Sequence, residues 1–167
     1  MTVNIQGVVE ITQAEIKEYL RYEPDTGNFY WVKNTNSRGP SKVGQLAGCT
    51  NAYGYWQIGL FGLRLYGHVL AWLYVYGRVP RYIDHKDRNP TNNRIENLRE
   101  CTHSQNHGNY KRRKNGIELH GRKYRVRIVK DGVRHEFGSY SSLQEADVVA
   151  DAAYDKLFGE FAFACSN

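Results

Sequence analysis

Asp84 and Asn106 carry hard oxygen atoms of the kind that Mg²⁺ or Mn²⁺ binds, leaving water and a phosphate to complete the coordination shell. His85 follows Asp84 directly, and in an extended segment neighbouring side chains point to opposite faces, so His85 can face a phosphate rather than the metal. A neutral imidazole there is a base for water. Asn97 can hydrogen-bond across the intervening loop and fix how His85 is presented. These groups meet the needs of phosphodiester hydrolysis: an activated water, charge stabilisation on the phosphate, and help for the departing 3′ oxygen. An Asp-His pair alone is more often solvated or structurally bonded. The positions of Asn97 and Asn106 tip the reading toward catalysis.

The elements that must hold these groups are short. Residues 82–85 read as a strand end, 86–93 as a turn-rich loop with Asn89-Pro90, and 94–98 as a second strand. Thr102 and Gln105 form a capping-box pattern, which places Asn106 in the first turn of a helix. Strand, loop, strand and helix of about thirty residues bury little by themselves, so they must lean on the aromatic N-terminal part. There, Thr12 and Glu15 form another capping box, with Ile11 and Ile16 as its hydrophobic staple, and predict a helix over 12–22. A turn at 23–27, a strand over 28–32, a loop over 34–44, a hairpin over 53–66 bent at Phe61-Gly62 and an apolar helix over Gly67–Tyr76 follow. His68 on that helix reads first as a core histidine. His103 and His107 read as exposed helix positions, with a ligand or phosphate contact as the alternative.

Formal charge is +6 and the pI is near 9.2, which favours a polyanionic partner without separating DNA from RNA or an anionic membrane surface. The charge is local: residues 110–135 hold ten Lys or Arg against two acids, so that segment alone exceeds the net charge of the chain. Within it, 110–116 is a basic linker carrying Lys111, Arg112, Arg113 and Lys114, suited to phosphate contacts. Beyond it, Asp131-Gly132 joins two strands in a hairpin whose alternation puts Tyr124, Val126 and Ile128 on one face and Arg125 and Arg127 on the other. A helix capped by Ser142, with a stripe of Leu143, Ala146, Val149, Ala150, Ala153 and Leu157, can cover the apolar face. Cys49, Cys101 and Cys165 lack the two-residue gap of a zinc knuckle, so neither a disulfide framework nor a structural zinc is expected. No long apolar run is present, and the expectation is a soluble protein with no membrane partner, working in the cytoplasm of a host cell.

The run Ile83-Asp84-His85-x-Asp87, then Asn92-Asn93-Arg94-Ile95-Glu96-Asn97-Leu98-Arg99, then Gln105-Asn106 resembles the HNH nuclease motif of phage and intron-borne homing endonucleases, in the form whose final H is Asn. The resemblance implies a ββα-metal (His-Me finger) core, His85 as general base, Asp84 and Asn106 on one Mg²⁺ or Mn²⁺, Asn97 as the middle Asn, and double-stranded DNA as substrate. Lys86 and Arg88 are then placed to touch DNA. Tyr22-x-Pro24-Asp25-Thr26-Gly27, Trp31, Gly54-Tyr55 and His68-Val69-Leu70-Ala71-Trp72 extend the likeness upstream, with Val69 where an Arg is usual. The C-terminal part resembles the AP2 DNA-binding domain through Tyr124-Arg125-Val126-Arg127-Ile128, Phe137-Gly138-x-Tyr140, Glu145-Ala146 and Ala152-Ala153-Tyr154-Asp155, although the usual Trp of the first strand is absent. That likeness implies a sheet face in the major groove, with Arg125, Arg127 and Arg134 as contacts.

The expectation is therefore an α+β protein: a nuclease domain over 1–109 with its ββα-metal core at about 81–110, a linker over 110–116, and a three-stranded-sheet-and-helix AP2-like domain over 117–164. As a monomer it would nick one strand, and as a homodimer it could break both. The alternatives are a non-catalytic, sequence-specific DNA-binding protein with a relic nuclease unit, and an RNA-binding accessory factor.

Overall fold

A computed structural model of the chain describes residues 2–5, 9–34, 42–108 and 116–162, with the backbone alone for 2–5, 9, 10, 107 and 108. It divides into two compact units, Met1–Glu100 and Cys101–Asn167. The division falls ahead of the linker expected at 110–116, and that linker lies almost wholly outside the described residues. The helix carrying Asn106 belongs to the second unit because Cys101 packs on the Ile128, Tyr154 and Phe158 cluster there and the Ser104 hydroxyl accepts from the Asp131 N–H at 3.1 Å.

The first unit opens with β1 (Thr2–Ile5) antiparallel to β2 (Val9–Thr12), then α1 (Gln13–Tyr19). Thr12 and Glu15 make the reciprocal capping box, and Ile11 and Ile16 are buried together in the core. The helix stops at Tyr19 rather than near residue 22. Leu20–Glu23 becomes β3, paired with β4 (Asn28–Trp31), and so buries Leu20 and Tyr22 on one face and Phe29 and Trp31 opposite them. Cross-strand burial outweighs continued helix propensity here.

β5 (Cys49–Thr50), β6 (Trp56–Leu60) and β7 (Leu63–Tyr66) form a three-stranded sheet, with Phe61 and Gly62 both at positive φ in the two-residue bend. Ile58, Leu60 and Leu65 face the core, where α2 (Gly67–Tyr76) contributes Leu70, Ala71, Trp72 and Leu73. Then β8 (Ile83–His85) pairs with β9 (Leu98–Glu100) around the loop between them. The second strand thus starts at Leu98, not Arg94. A 3₁₀ turn over Ile95–Asn97 precedes it, closed by the Asn97 N–H on the Arg94 carbonyl at 3.0 Å.

In the second unit, α3 (His103–Gly108) precedes an antiparallel sheet of β10 (Ile117–His120), β11 (Lys123–Lys130) and β12 (Val133–Tyr140), backed by α4 (Leu143–Phe158). Val126 and Ile128 are buried, as the alternation requires, and Ser142 caps α4 by accepting from the Glu145 N–H. The α4 stripe is turned from the expected one: Ala146, Ala150, Ala153, Tyr154 and Phe158 are buried, and Leu143 is exposed. The small Ala146 and Ala150 pack against Val126, and the rings of Tyr154 and Phe158 pack in one cluster with Ile128.

Candidate active site

The β8–β9 register places Asp84 opposite Arg99 and His85 opposite Leu98. Successive side chains on β8 therefore serve different faces. On one, the Asp84 Oδ2 accepts from Arg99 Nε at 2.9 Å and lies 2.8 Å from Nη2, both side chains nearly enclosed. On the other, His85 is buried among Tyr55, His68 and Asn93, with ring centroids 6.4 Å from Tyr55 and 5.2 Å from His68.

His85 Nε2 lies 3.2 Å from Asn93 Oδ1. The Asn93 amide nitrogen is committed to the Thr91 carbonyl at 3.3 Å, so its oxygen is the atom turned to the imidazole. This orientation of the amide assigns the proton to Nε2 and the lone pair to Nδ1. Asn93 is almost wholly buried and is held from two sides. The Tyr22 hydroxyl donates to its carbonyl at 2.7 Å, and Gly67, at the start of α2, leaves room for its amide: a Cβ there would meet Asn93 Nδ2 at 2.7 Å.

Asn97 ties the loop. Its Nδ2 donates to Asp87 Oδ1 at 2.9 Å and to the Asn92 carbonyl at 2.8 Å, while its Oδ1 accepts from the Asp87 N–H at 3.1 Å. Asn97 thus positions the loop, and His85 takes its direct side-chain bond from Asn93. The buried, inward-turned Asn97 amide also explains the 3₁₀ turn where a strand was expected.

Burial lowers the basicity of His85, against the opposing pull of Asn93, Asp87 and Asp84, and the net result lies below the usual histidine value. His68 is pushed down to about 3 by burial and by His85, and its buried Nδ1 has no hydrogen-bond partner among the described residues. Burial raises the Asp87 carboxyl, but hydrogen bonds from Asn89, Asn92 and Asn97 outweigh it and leave the group below the usual aspartate range. The site thus keeps two imidazoles neutral beside the ionised Asp87 carboxylate.

Other expected residues are distributed as follows. Asn106 is half-buried on α3, its N–H donating to the Thr102 carbonyl at 3.0 Å, behind a formed Thr102/Gln105 capping box. His103 is exposed on the same helix, and the side chain of His107 lies outside the described residues. Lys86 donates to the Glu96 carbonyl at 2.7 Å, and Arg88 is exposed at a turn with φ of 62°. On the sheet, Arg134 is exposed, Arg125 is half-buried, and Arg127 pairs with Glu118 at 3.4 Å and Glu136 at 3.2 Å. Lys111, Arg112, Arg113 and Lys114 lie outside the described residues.

Sequence reasoning missed Arg99 as the partner of Asp84 because placing the second strand at 94–98 shifted the register. The correct register puts the two directly opposite. It also missed Asn93, whose signals were an Asn doublet after a Pro turn and a glycine opening an apolar helix.

Residues 65–107 match a family model described as HNH endonuclease, a span that holds Asp84, His85, Asn93, Asn97, Arg99 and Asn106. A protein of Acanthamoeba polyphaga mimivirus, named as an uncharacterized HNH endonuclease, is 34% identical over 95 residues, which are 54% of this chain and 51% of that protein. The chain thus spans about half the length of the curated relative it matches. No solved structure matches.

Proposed function

We propose that this chain is an HNH endonuclease that hydrolyses phosphodiester bonds in double-stranded DNA with a divalent metal, in the manner of homing endonucleases of phages and other viruses, inside the infected cell. The observation that carries this reading is the buried His85–Asn93 pair. A base must be neutral, oriented and protonated on the nitrogen that is not reacting. Burial keeps His85 neutral, and Asn93 accepts the Nε2 proton, so Nδ1 takes the proton from water as it attacks phosphorus. The match over 65–107 supports the endonuclease reading.

Asp84 and Asn106 would hold Mg²⁺ or Mn²⁺. Asp84 offers a buried carboxylate and Asn106 an amide oxygen, both hard donors of the kind such an ion takes. When bound, the metal supplies charge stabilisation for the phosphate and the leaving 3′ oxygen. Arg99 pairs with Asp84 Oδ2 at 2.8 Å and so holds the carboxylate in place on its buried side. The C-terminal sheet, which we read as AP2-like, would hold the duplex through Arg125 and Arg134. Arg127 also stands on this face, its charge shared with two glutamates. One site per chain gives a nick from a monomer, and a double-strand break requires a dimer or two events.

The test is cleavage of supercoiled plasmid with Mg²⁺ or Mn²⁺, with EDTA, and with His85→Ala at equal DNA affinity. Metal-dependent open-circle or linear product is expected from the wild type, with a loss of roughly 10²–10⁴-fold in the variant. If wild type and variant are equally inert on every duplex yet both bind DNA, the chain is a binding protein and not a nuclease.

A further inference from the structure

Five basic side chains of the first unit are used internally: Arg21, Lys33, Arg78, Arg94 and Arg99 pair with Glu23, Glu18, Glu100, Glu96 and Asp84. Lys42 and Arg64 are different. Both are exposed, neither is in an ion pair among the described residues, and both line one cavity of about 470 Å³ together with Trp31, Gln45, Cys49 and Gln57. Among the described residues, no carboxylate lines that cavity. Its size falls within the range of small-molecule sites, and its charged and amide lining suits an anion.

The cavity also has a direction. Gln57 pairs with Tyr66 across the β6–β7 hairpin and Gly59 pairs with Arg64, so these four positions share the face opposite the buried Ile58 and Leu65. Gly59 contributes no side chain, which leaves the space beside Arg64 open. One step along that face, the Tyr66 ring stacks on His68 with centroids 5.5 Å apart, and the His68 ring meets His85 at 5.2 Å. Arg64 and Tyr66 therefore share one sheet face, and ring contacts lead from Tyr66 through His68 to His85.

We propose that the Lys42/Arg64 cavity is a phosphate subsite for the DNA strand that crosses the β5–β7 face on its way to His85. This rests on the endonuclease reading and adds a grip on the substrate within the first unit, separate from the basic segment of 110–135. Lys42 and Arg64 hold backbone phosphates flanking the scissile one, Gln45 and Gln57 donate amide N–H groups to the same strand, and Tyr66 borders the path to the reacting phosphate.

The test is duplex affinity of the full chain as a function of salt, measured by fluorescence anisotropy in EDTA so that cleavage plays no part. Neutralising two phosphate contacts with Lys42→Gln/Arg64→Gln reduces the slope of log affinity against log salt by about 1.8, at roughly 0.9 per contact. Gly59→Glu provides an independent probe, because a Cβ there meets nothing nearer than the Leu63 carbonyl at 4.0 Å and the fold should tolerate it. The added carboxylate weakens binding at low salt and loses that effect as salt screens it. Cys49 is an exposed thiol in the cavity wall, and saturating duplex should slow its alkylation, mapped by mass spectrometry. An unchanged slope in the double variant, or a Cys49 equally reactive with and without duplex, overturns the subsite. A wild type that binds but never cuts defeats the endonuclease reading while leaving this measurement decisive, whereas normal cutting with an unchanged slope defeats the subsite alone.

Discussion

Two arginines show how much surroundings decide. Arg99 in the first unit and Arg127 in the second each sit on a short antiparallel sheet and each meet carboxylates across it. Arg99 and Asp84 are enclosed, with side-chain exposures of 10% and 7%. Arg127 faces Glu118 and Glu136, which are 60% and 59% exposed. The enclosed pair cannot lose one member without stranding a charge away from water, whereas the open one can be replaced by solvent. The first arrangement fixes a buried carboxylate, and the second tunes the charge of a surface.

Removing Arg99 should have the largest effect on stability. Arg99→Leu strands the Asp84 carboxylate and costs about 3–5 kcal/mol in urea unfolding, while Asp84→Asn combined with Arg99→Leu regains much of it. If the single variant is as stable as the wild type, Asp84 is not the buried charge its geometry indicates. Asn93→Ala comes next: it leaves His85 Nε2 without its acceptor and costs about 1–3 kcal/mol. At temperatures where the variant stays folded, kcat should fall with KM little changed, and Asn93→Asp, which retains an acceptor, should recover part of the rate. An equal loss in both parameters would make Asn93 a packing residue only. Arg127→Gln should be the mildest, below about 1 kcal/mol. A larger loss would show that the sheet face is built around this ion network, and the contrast between the two arginines would fail.

Local chemistry was legible wherever it was self-contained. The Thr12/Glu15, Thr102/Gln105 and Ser142 caps, the Phe61-Gly62 bend and the limits of α2 depend on residues within a few positions of one another. What failed depended on distant partners. Leu20 to Glu23 has helical spacing until Asn28 to Trp31 is available to pair with it. The stripe on α4 could not be oriented without knowing that Phe158 and Tyr154 close one end of the sheet. In the candidate site, Asp84 and His85 were legible because their types are chemically unusual as neighbours. Asn93 was not, because an asparagine in a turn is ordinary until its carbonyl meets Tyr22 and its amide meets Gly67 and His85.

The contact from Tyr22 bears on how far the chemistry can be transplanted. The matched segment 65–107 contains Asp84, His85, Asn93, Asn97 and Asn106, yet the hydroxyl that anchors Asn93 comes from β3. The turn that follows β3 also presses Gly27, at φ of 74°, onto Asn93 and Arg94, so closely that a Cβ would lie 2.5 Å from the Arg94 nitrogen. A graft of 65–107 into another scaffold would carry the reagents without the clamp. The portable cassette is longer than the recognisable motif, and its hidden boundary lies upstream of Tyr22.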